Sequence, residues 1–178
     1  EGVQTDNRMI NGYYVNRGGK WGYIDSFGEI VIDIKFDALD KFDEKGRARF
    51  ILNNKIGIVD CGGQILIPAA YDYLDIFGKL SVAVAQVGKS YGIINDKFEV
   101  VAPFEYDYIY SFNDQPTTVA YNNEYFGVIS TDGSIVCDFK YKYMEDFKGG
   151  IALAYDEAYG YIDHYGNEVI PTIHSEVK

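Results

Sequence analysis

The sequence predicts an all-β chain, a tandem array of five three-stranded antiparallel units stacked in an open, solenoid-like manner. Three observations carry this. An aromatic or aliphatic residue followed by glycine recurs at Trp21-Gly22, Ile56-Gly57, Tyr91-Gly92, Phe126-Gly127 and Tyr159-Gly160, which spaces the glycines by 35, 35, 35 and 33 residues. Other columns keep the 35-residue step: Phe36, Tyr71, Tyr106 and Tyr141; Phe42, Phe77, Phe112 and Phe147; Leu39, Leu74, Ile109 and Met144. Finally, 19 Gly, 17 Tyr and 11 Phe stand against 4 Pro, with few runs of Ala, Leu or Met, a balance that favours short strands and tight turns. A fixed period of this length marks a repeat architecture.

Each unit opens with a β-prone run, at 13–15, 48–52, 81–86, 117–121 and 151–155. A hairpin follows, with arms at 22–25 and 29–32 in the first unit and 57–60 and 64–67 in the second. Its turn reads Asp25-Ser26-Phe27-Gly28, Asp60-Cys61-Gly62-Gly63, Ser130-Thr131-Asp132-Gly133 and Asp163-His164-Tyr165-Gly166. An Asp or Ser oxygen at the head of such a turn accepts a backbone N–H two residues on, and the glycine takes positive φ. The third unit departs from this with Asn95-Asp96-Lys97-Phe98. Pro68, Pro103 and Pro171 share one column, placed at the end of the hairpin's second strand where a missing N–H does little harm; Asp33 and Asp138 fill it elsewhere. Connectors such as Tyr71-Asp72-Tyr73-Leu74-Asp75-Ile76-Phe77 suit a helical turn or a bend, and their apolar residues plug the core between units.

The units are thus 9–34, 46–69, 80–104, 116–139 and 150–173, forming a single domain over 9–173 between polar ends at 1–8 and 174–178. One three-stranded sheet is marginal in water, so the units depend on stacking. The alternative closed form is a five-bladed β-propeller, which requires the fifth unit to meet the first. The shorter last step and the lack of an evident strand exchange between the termini favour the open form.

A net charge of 16 − 27 = −11 on 178 residues repels phosphate backbones and anionic lipid, so nucleic acid is a poor partner. No apolar run approaches the ~18 residues of a membrane span, the richest being Ile65 to Ile67 before Pro68. Cys61 and Cys137 occupy non-equivalent positions of non-adjacent units and read as free thiols.

Lys20-Trp21-Gly22, the Asp-x-x-Gly turn, the Ile-Pro step and the Tyr-Asp-x-Leu-x-x-Phe connector together resemble the bacterial WG (KWG) repeat over about 9–172. Its structural repeat positions here are Trp21, Gly22, Gly57, Gly92, Gly127 and Gly160. The other units depart from the literal Trp-Gly, unit three lacks the turn glycine, and unit four has Tyr141-Lys142 where the others carry an acid. The resemblance implies a β-rich array, exported or in the cell envelope more often than cytoplasmic, that works as an interaction or ligand-binding scaffold. It brings no catalytic residue and no cofactor.

Motifs for chemistry are weak. Gly88-Lys89-Ser90-Tyr91-Gly92 fits the GxSxG pattern, but it sits between two strands, whereas a nucleophile elbow joins a strand to a helix. Its Gly-Lys-Ser lacks the leading glycine of a phosphate loop, Ala83 standing there. Two His and two Cys without paired spacing do not suggest a zinc site. The connector acids Asp37, Asp40, Asp72, Asp75, Asp107 and Glu145 recur unit by unit, which points to turn caps and a solvated edge rather than a singular catalytic pair.

Trp21, Tyr91, Phe126, Tyr159, Phe36 and the Phe42 series alternate as core residues. Tyr73, Tyr108 and Tyr143 stand one residue before the Leu39 column, with Ala38 in the first unit, and form a ladder along one face if the stack is regular. Such rings pack between units or anchor a ligand. Tyr110, Tyr13, Tyr14 and Tyr125 are further candidates outside the repeat. The expected function is a non-catalytic scaffold for a protein partner. The alternatives are a carbohydrate or cell-wall binding module and, more distantly, a glycoside hydrolase-like enzyme, which would need two acids converging in one concavity.

Overall fold

The computed structural model describes residues 11–174, and the expected polar ends 1–8 and 174–178 lie outside these apart from the backbone of His174. The described chain is all-β and folds into five small antiparallel sheets, each a meander in chain order. The first sheet holds β1 (Gly12–Arg17), β2 (Lys20–Asp25) and β3 (Ile30–Phe36). The second holds β4 (Ala38–Leu39), β5 (Arg47–Leu52), β6 (Lys55–Asp60) and β7 (Ile65–Tyr71). The third is β8 (Tyr73–Leu74), β9 (Val82–Val87), β10 (Ser90–Asn95) and β11 (Val100–Tyr106). β12 (Tyr108–Ile109), β13 (Thr117–Asn122), β14 (Tyr125–Ser130) and β15 (Ile135–Tyr141) make the fourth. β16 (Tyr143–Met144), β17 (Ile151–Tyr155), β18 (Tyr159–Asp163) and β19 (Glu168–His174) complete the fifth. The chain divides into two compact units, Glu1–Asp72 with the first two sheets and Tyr73–Lys178 with the other three.

The connectors differ from expectation. Instead of a bend or helical turn, each contributes a two-residue strand that pairs with the next repeat, as Tyr73↔Gln86 and Leu74↔Ala85, giving four of the sheets a fourth strand. Leu74, Ile109 and Met144 thereby point into the core and are fully buried.

The outer strands are also longer than expected, running past the proline column to Phe36, Tyr71, Tyr106, Tyr141 and His174. They do so through a bulge. Between Ile58↔Ile67 and Ile56↔Tyr71 the inner strand advances two residues and the outer strand four, and the other four sheets repeat this. Pro68, Pro103 and Pro171 fall inside the bulge of an edge strand, where no ladder hydrogen bond needs their N–H. Opposite the bulge stands the repeat glycine. A Cβ at Gly22, Gly57, Gly92 or Gly127 would lie 2.5, 2.6, 2.8 or 2.7 Å from the carbonyl oxygen of Ile32, Ile67, Ala102 or Cys137. Close approach, not positive φ, therefore requires glycine here.

The turn glycines work differently. Gly28, Gly63, Gly133 and Gly166 have φ of 87°, 85°, 83° and 80°. Asp25 Oδ1 accepts the N–H of Phe27 at 2.8 Å and of Glu29 at 3.0 Å, and Asp60, Asn95 and Asp163 repeat the pattern. The third turn keeps this shape without glycine, holding Phe98 at φ 69°. In the fourth, Ser130 heads the turn and Asp132 accepts from Ser134 N–H and both serine hydroxyls, which lowers its carboxyl to about 2.

Within each compact unit the core lies in slabs between successive sheets. Within the first compact unit Tyr23, Ile32, Phe36, Ala48, Phe50 and Val59 pack together, with the Phe36 and Phe50 rings 4.2 Å apart. In the second, Val84, Ile93, Tyr106, Ile109, Phe112 and Ile129 fill one slab, and Val128, Tyr141, Met144 and Ile162 belong to the next. A middle strand flanked on both faces reads as a continuous apolar run, so Ile93-Ile94 and Val128-Ile129 are fully buried. Of the residues expected inside, Phe36 and Phe112 are buried and Phe42, Phe77 and Phe147 half-buried, but Trp21 is 36% exposed and Tyr91, Phe126 and Tyr159 only half-buried. These last four sit beside the hairpin loop, at the solvent end of the middle strand.

Turn glycines test the packing of sheet on sheet. A Cβ at Gly28 meets nothing within 4 Å, whereas at Gly133 it would lie 2.8 Å from the Val101 oxygen of the preceding sheet. Gly28→Ala is expected to cost about 1 kcal/mol from its backbone alone, and Gly133→Ala about 2–4 kcal/mol, since overlap with the neighbouring strand adds to it. Urea denaturation of the two variants measures the difference.

Candidate functional site

The connector strands place Tyr73, Tyr108 and Tyr143 at equivalent registers, opposite Gln86, Tyr121 and Tyr155. Their alternation partners Leu74, Ile109 and Met144 are buried, so the tyrosines face outward and remain 41%, 42% and 45% exposed. All three lie in the second compact unit.

Rings of the neighbouring elements join Tyr73 to Tyr108 and hold Tyr143 further along the same column. Tyr91 lies 6.5 Å from Tyr73 on its own sheet and 5.0 Å from Tyr108 on the next, and Tyr108 meets Tyr110 at 5.0 Å. Phe126 repeats the contact to the following sheet, 6.2 Å from Tyr143. Packing between repeats and exposure to solvent thus coexist in the same residues. In the first repeat the column holds Ala38, and Trp21 lacks a tyrosine to cover it. Tyr91 is the residue missing from the sequence-derived ladder: its place in the glycine column masked it, although it is flanked by a ladder tyrosine on either side.

The rings meet edge to face, at 64° for Tyr91–Tyr108 and 89° for Tyr108–Tyr110. Burial pushes the Tyr110 hydroxyl up from its ordinary value, and Tyr108, Tyr143, Asp146 and Glu145 push it further. Tyr143 donates to Glu145 at 3.3 Å, so acids rim this end of the row. Of the other candidates, Tyr13 and Tyr125 are exposed away from these contacts, and Tyr14 packs on Tyr23 and Phe42 while its oxygen accepts the Phe42 N–H at 2.8 Å.

The connector acids have structural tasks. Asp37 pairs with Lys20 and accepts the N–H of Asn53 at 2.8 Å, and Asp107 accepts that of Asn123 at 3.0 Å; each caps the next hairpin loop. The Lys20 bond draws the Asp37 carboxyl below its usual range. Lys55 pairs with Asp72 in the same way, which explains the lysine of Lys20-Trp21-Gly22. Asp40 binds Arg49 at 2.7 Å and Glu145 binds Lys148 at 3.3 Å. Gly88-Lys89 is the loop of a hairpin between β9 and β10, not the strand-to-helix turn that a nucleophile elbow needs. Cys61 and Cys137 are free, with burial raising both thiols. Among the described residues no three His, Cys, Asp or Glu converge as metal ligands, and no helix is long and apolar enough to cross a membrane.

A family model described as "WG containing repeat" matches residues 21–55, 91–123 and 126–156. No curated protein matches the chain. Among solved structures, one titled as the eukaryotic initiation factor is similar at 9% identity and TM-score 0.52, covering 94% of this chain and 53% of that one. Hsv2 of Kluyveromyces lactis is similar at 12% identity and TM-score 0.45, with 91% of this chain and 59% of that one covered. The chain spans about half the length of these proteins, and the first likeness concerns the fold alone.

Tyr91, Tyr106, Tyr110 and Tyr141 all have hydroxyls raised above 10.0 by burial. A folded pKa above the unfolded one stabilises fully below the unfolded value and is lost as pH climbs through the folded value. Stability is therefore expected to fall above about pH 10, with a late-ionising class of tyrosines in a phenolate absorbance titration. Tyr110→Phe should make the fall shallower.

Proposed function

The chain belongs to the WG-containing repeat family, and on that premise we propose that it is a non-catalytic scaffold that binds a protein partner through its tyrosine row. The observation that carries this reading is the half-exposure of Tyr73, Tyr108 and Tyr143 in rings already held by their neighbours. A side chain fixed before binding loses little freedom on contact, and tyrosine joins a large apolar body to one polar tip, which suits an interface anchor. The edge-to-face contacts favour a protein over a sugar. Each ring covers part of its neighbour's face, whereas a sugar ring needs a flat open one. The engagement of Asp37, Asp40, Asp107 and Glu145 in caps and ion pairs supports a structural use of the recurring acids.

Replacing Tyr108 by a photo-reactive phenylalanine analogue and irradiating in the source cells is expected to capture a discrete protein, while the same analogue at Phe27, an exposed turn tip, captures none. Tyr108→Ala should weaken binding of that protein by about 2 kcal/mol or more. Binding of the chain to a glycan array that disappears in Tyr108→Ala would overturn the proposal in favour of a carbohydrate module.

A further inference from the structure

A cavity of about 390 Å³ opens in the second compact unit at the connector that follows Leu74. Its floor is apolar, formed by Val82, Ala83, Val84 and Phe112; Ile76, 64% exposed, and Leu80 stand at its edge. Two carboxylates, Asp75 and Asp114, line it as well. Asp75 accepts the hydroxyl of Ser111 and the N–H of Ile76, and Asp114 Oδ1 accepts the N–H of Lys79 at 2.8 Å. Neither has a cationic partner among the described residues.

The second repeat fills the equivalent place with side chains of its own. The same backbone hydrogen bond joins Asp40 N–H to the Arg49 oxygen at 2.9 Å and Asp75 N–H to the Val84 oxygen at 2.8 Å, so Asp75 corresponds to Asp40 and Val84 to Arg49. In the second sheet Arg49 binds Asp40 through Nε and Nη2, both at 2.7 Å. Two residues earlier Arg47 binds Asp43 at 2.8 Å, where the third sheet has Val82. The third repeat has the same acid but a shorter valine at each arginine position; by the same backbone bond Val119 and Leu153 fill the Arg49 column in the fourth and fifth sheets, so the arginine is particular to the second. The cavity lies where those two side chains would extend.

We infer that this cavity receives an arginine side chain of the partner protein, its stem over Val82, Val84, Ile76 and Leu80 and its guanidinium on Asp75 and Asp114. This rests on the protein-binding reading and adds the chemistry of one contact: a charge-assisted bond to a carboxylate beside apolar surface that the stem covers. The chain's net charge of −11 favours the approach of a basic segment.

The test uses N-acetyl-arginine methylamide against its neutral isostere, N-acetyl-citrulline methylamide, followed by the methyl NMR signals of Ile76, Leu80, Val82 and Val84. The arginine derivative is expected to shift these signals and to saturate at about tenfold lower concentration than citrulline, the size of one charge-assisted bond. Asp75→Asn should abolish that preference, and Asp40→Asn should leave it intact. Val84→Arg, which rebuilds the Arg49 arrangement, should close the cavity to the probe. Equal response to both derivatives, or shifts confined to residues outside the cavity, would overturn the inference. If cross-linking at Tyr108 still captures a protein in that case, the scaffold reading stands and the cavity assignment alone fails.

Discussion

The bulged outer strand resting on a glycine of the middle strand is the contact around which the first four repeats are organised. Two extra residues on the outer strand push its carbonyl toward the middle strand, and no side chain there leaves room for it. The bulge also lets the outer strand turn and run three residues further, which carries Phe36, Tyr106 and Tyr141 into the slab between sheets. From that point the chain reverses through a single residue, Asp37, Asp72, Asp107 or Lys142, into the short connector strand of the following sheet. Close packing within one repeat thereby sets the start of the next.

Sheet-to-sheet packing reuses the turn in the same economical way. The turn glycine supplies positive φ, and at Gly63, Gly133 and Gly166 its bare Cα also lies against the outer strand of the preceding sheet. One residue type thus meets a local and a tertiary demand. Where the third turn carries Phe98 instead, the Asn95 side chain preserves the turn, and the Phe98 ring packs 6.0 Å from Phe77.

Individuality enters through the positions that this frame does not use. The outward column beside the Leu39, Leu74, Ile109 and Met144 series holds Ala38 in the first connector and tyrosine in the other three, and the second compact unit gains its aromatic row from that difference. The column of Arg49 holds Val84 in the third repeat, and a cavity with two acids opens there. Neither position is set by the glycine contact.

The spacing of Gly22, Gly57, Gly92, Gly127 and Gly160 marked the five repeats, because a glycine forced by close approach recurs wherever the same backbone does. Composition and the Asp-x-x-Gly segments gave the all-β class and the hairpin turns, and Lys20-Trp21-Gly22, those turns, the Ile-Pro step and the connector together gave the family. The buried Leu74 column and the turn caps were readable for a similar reason, each being a local requirement of strand or turn. Tertiary structure decided the rest. It made a strand of Tyr73–Leu74, since two residues carry no period and pairing with β9 alone defines them. It moved Trp21 and Tyr91 from core to rim, because a strand's alternation says which face a side chain takes but not how near the end of the strand lies to solvent. And it separated Asp75 from Asp40, identical in the repeat pattern, by what stands across from them: an arginine for one and open volume for the other.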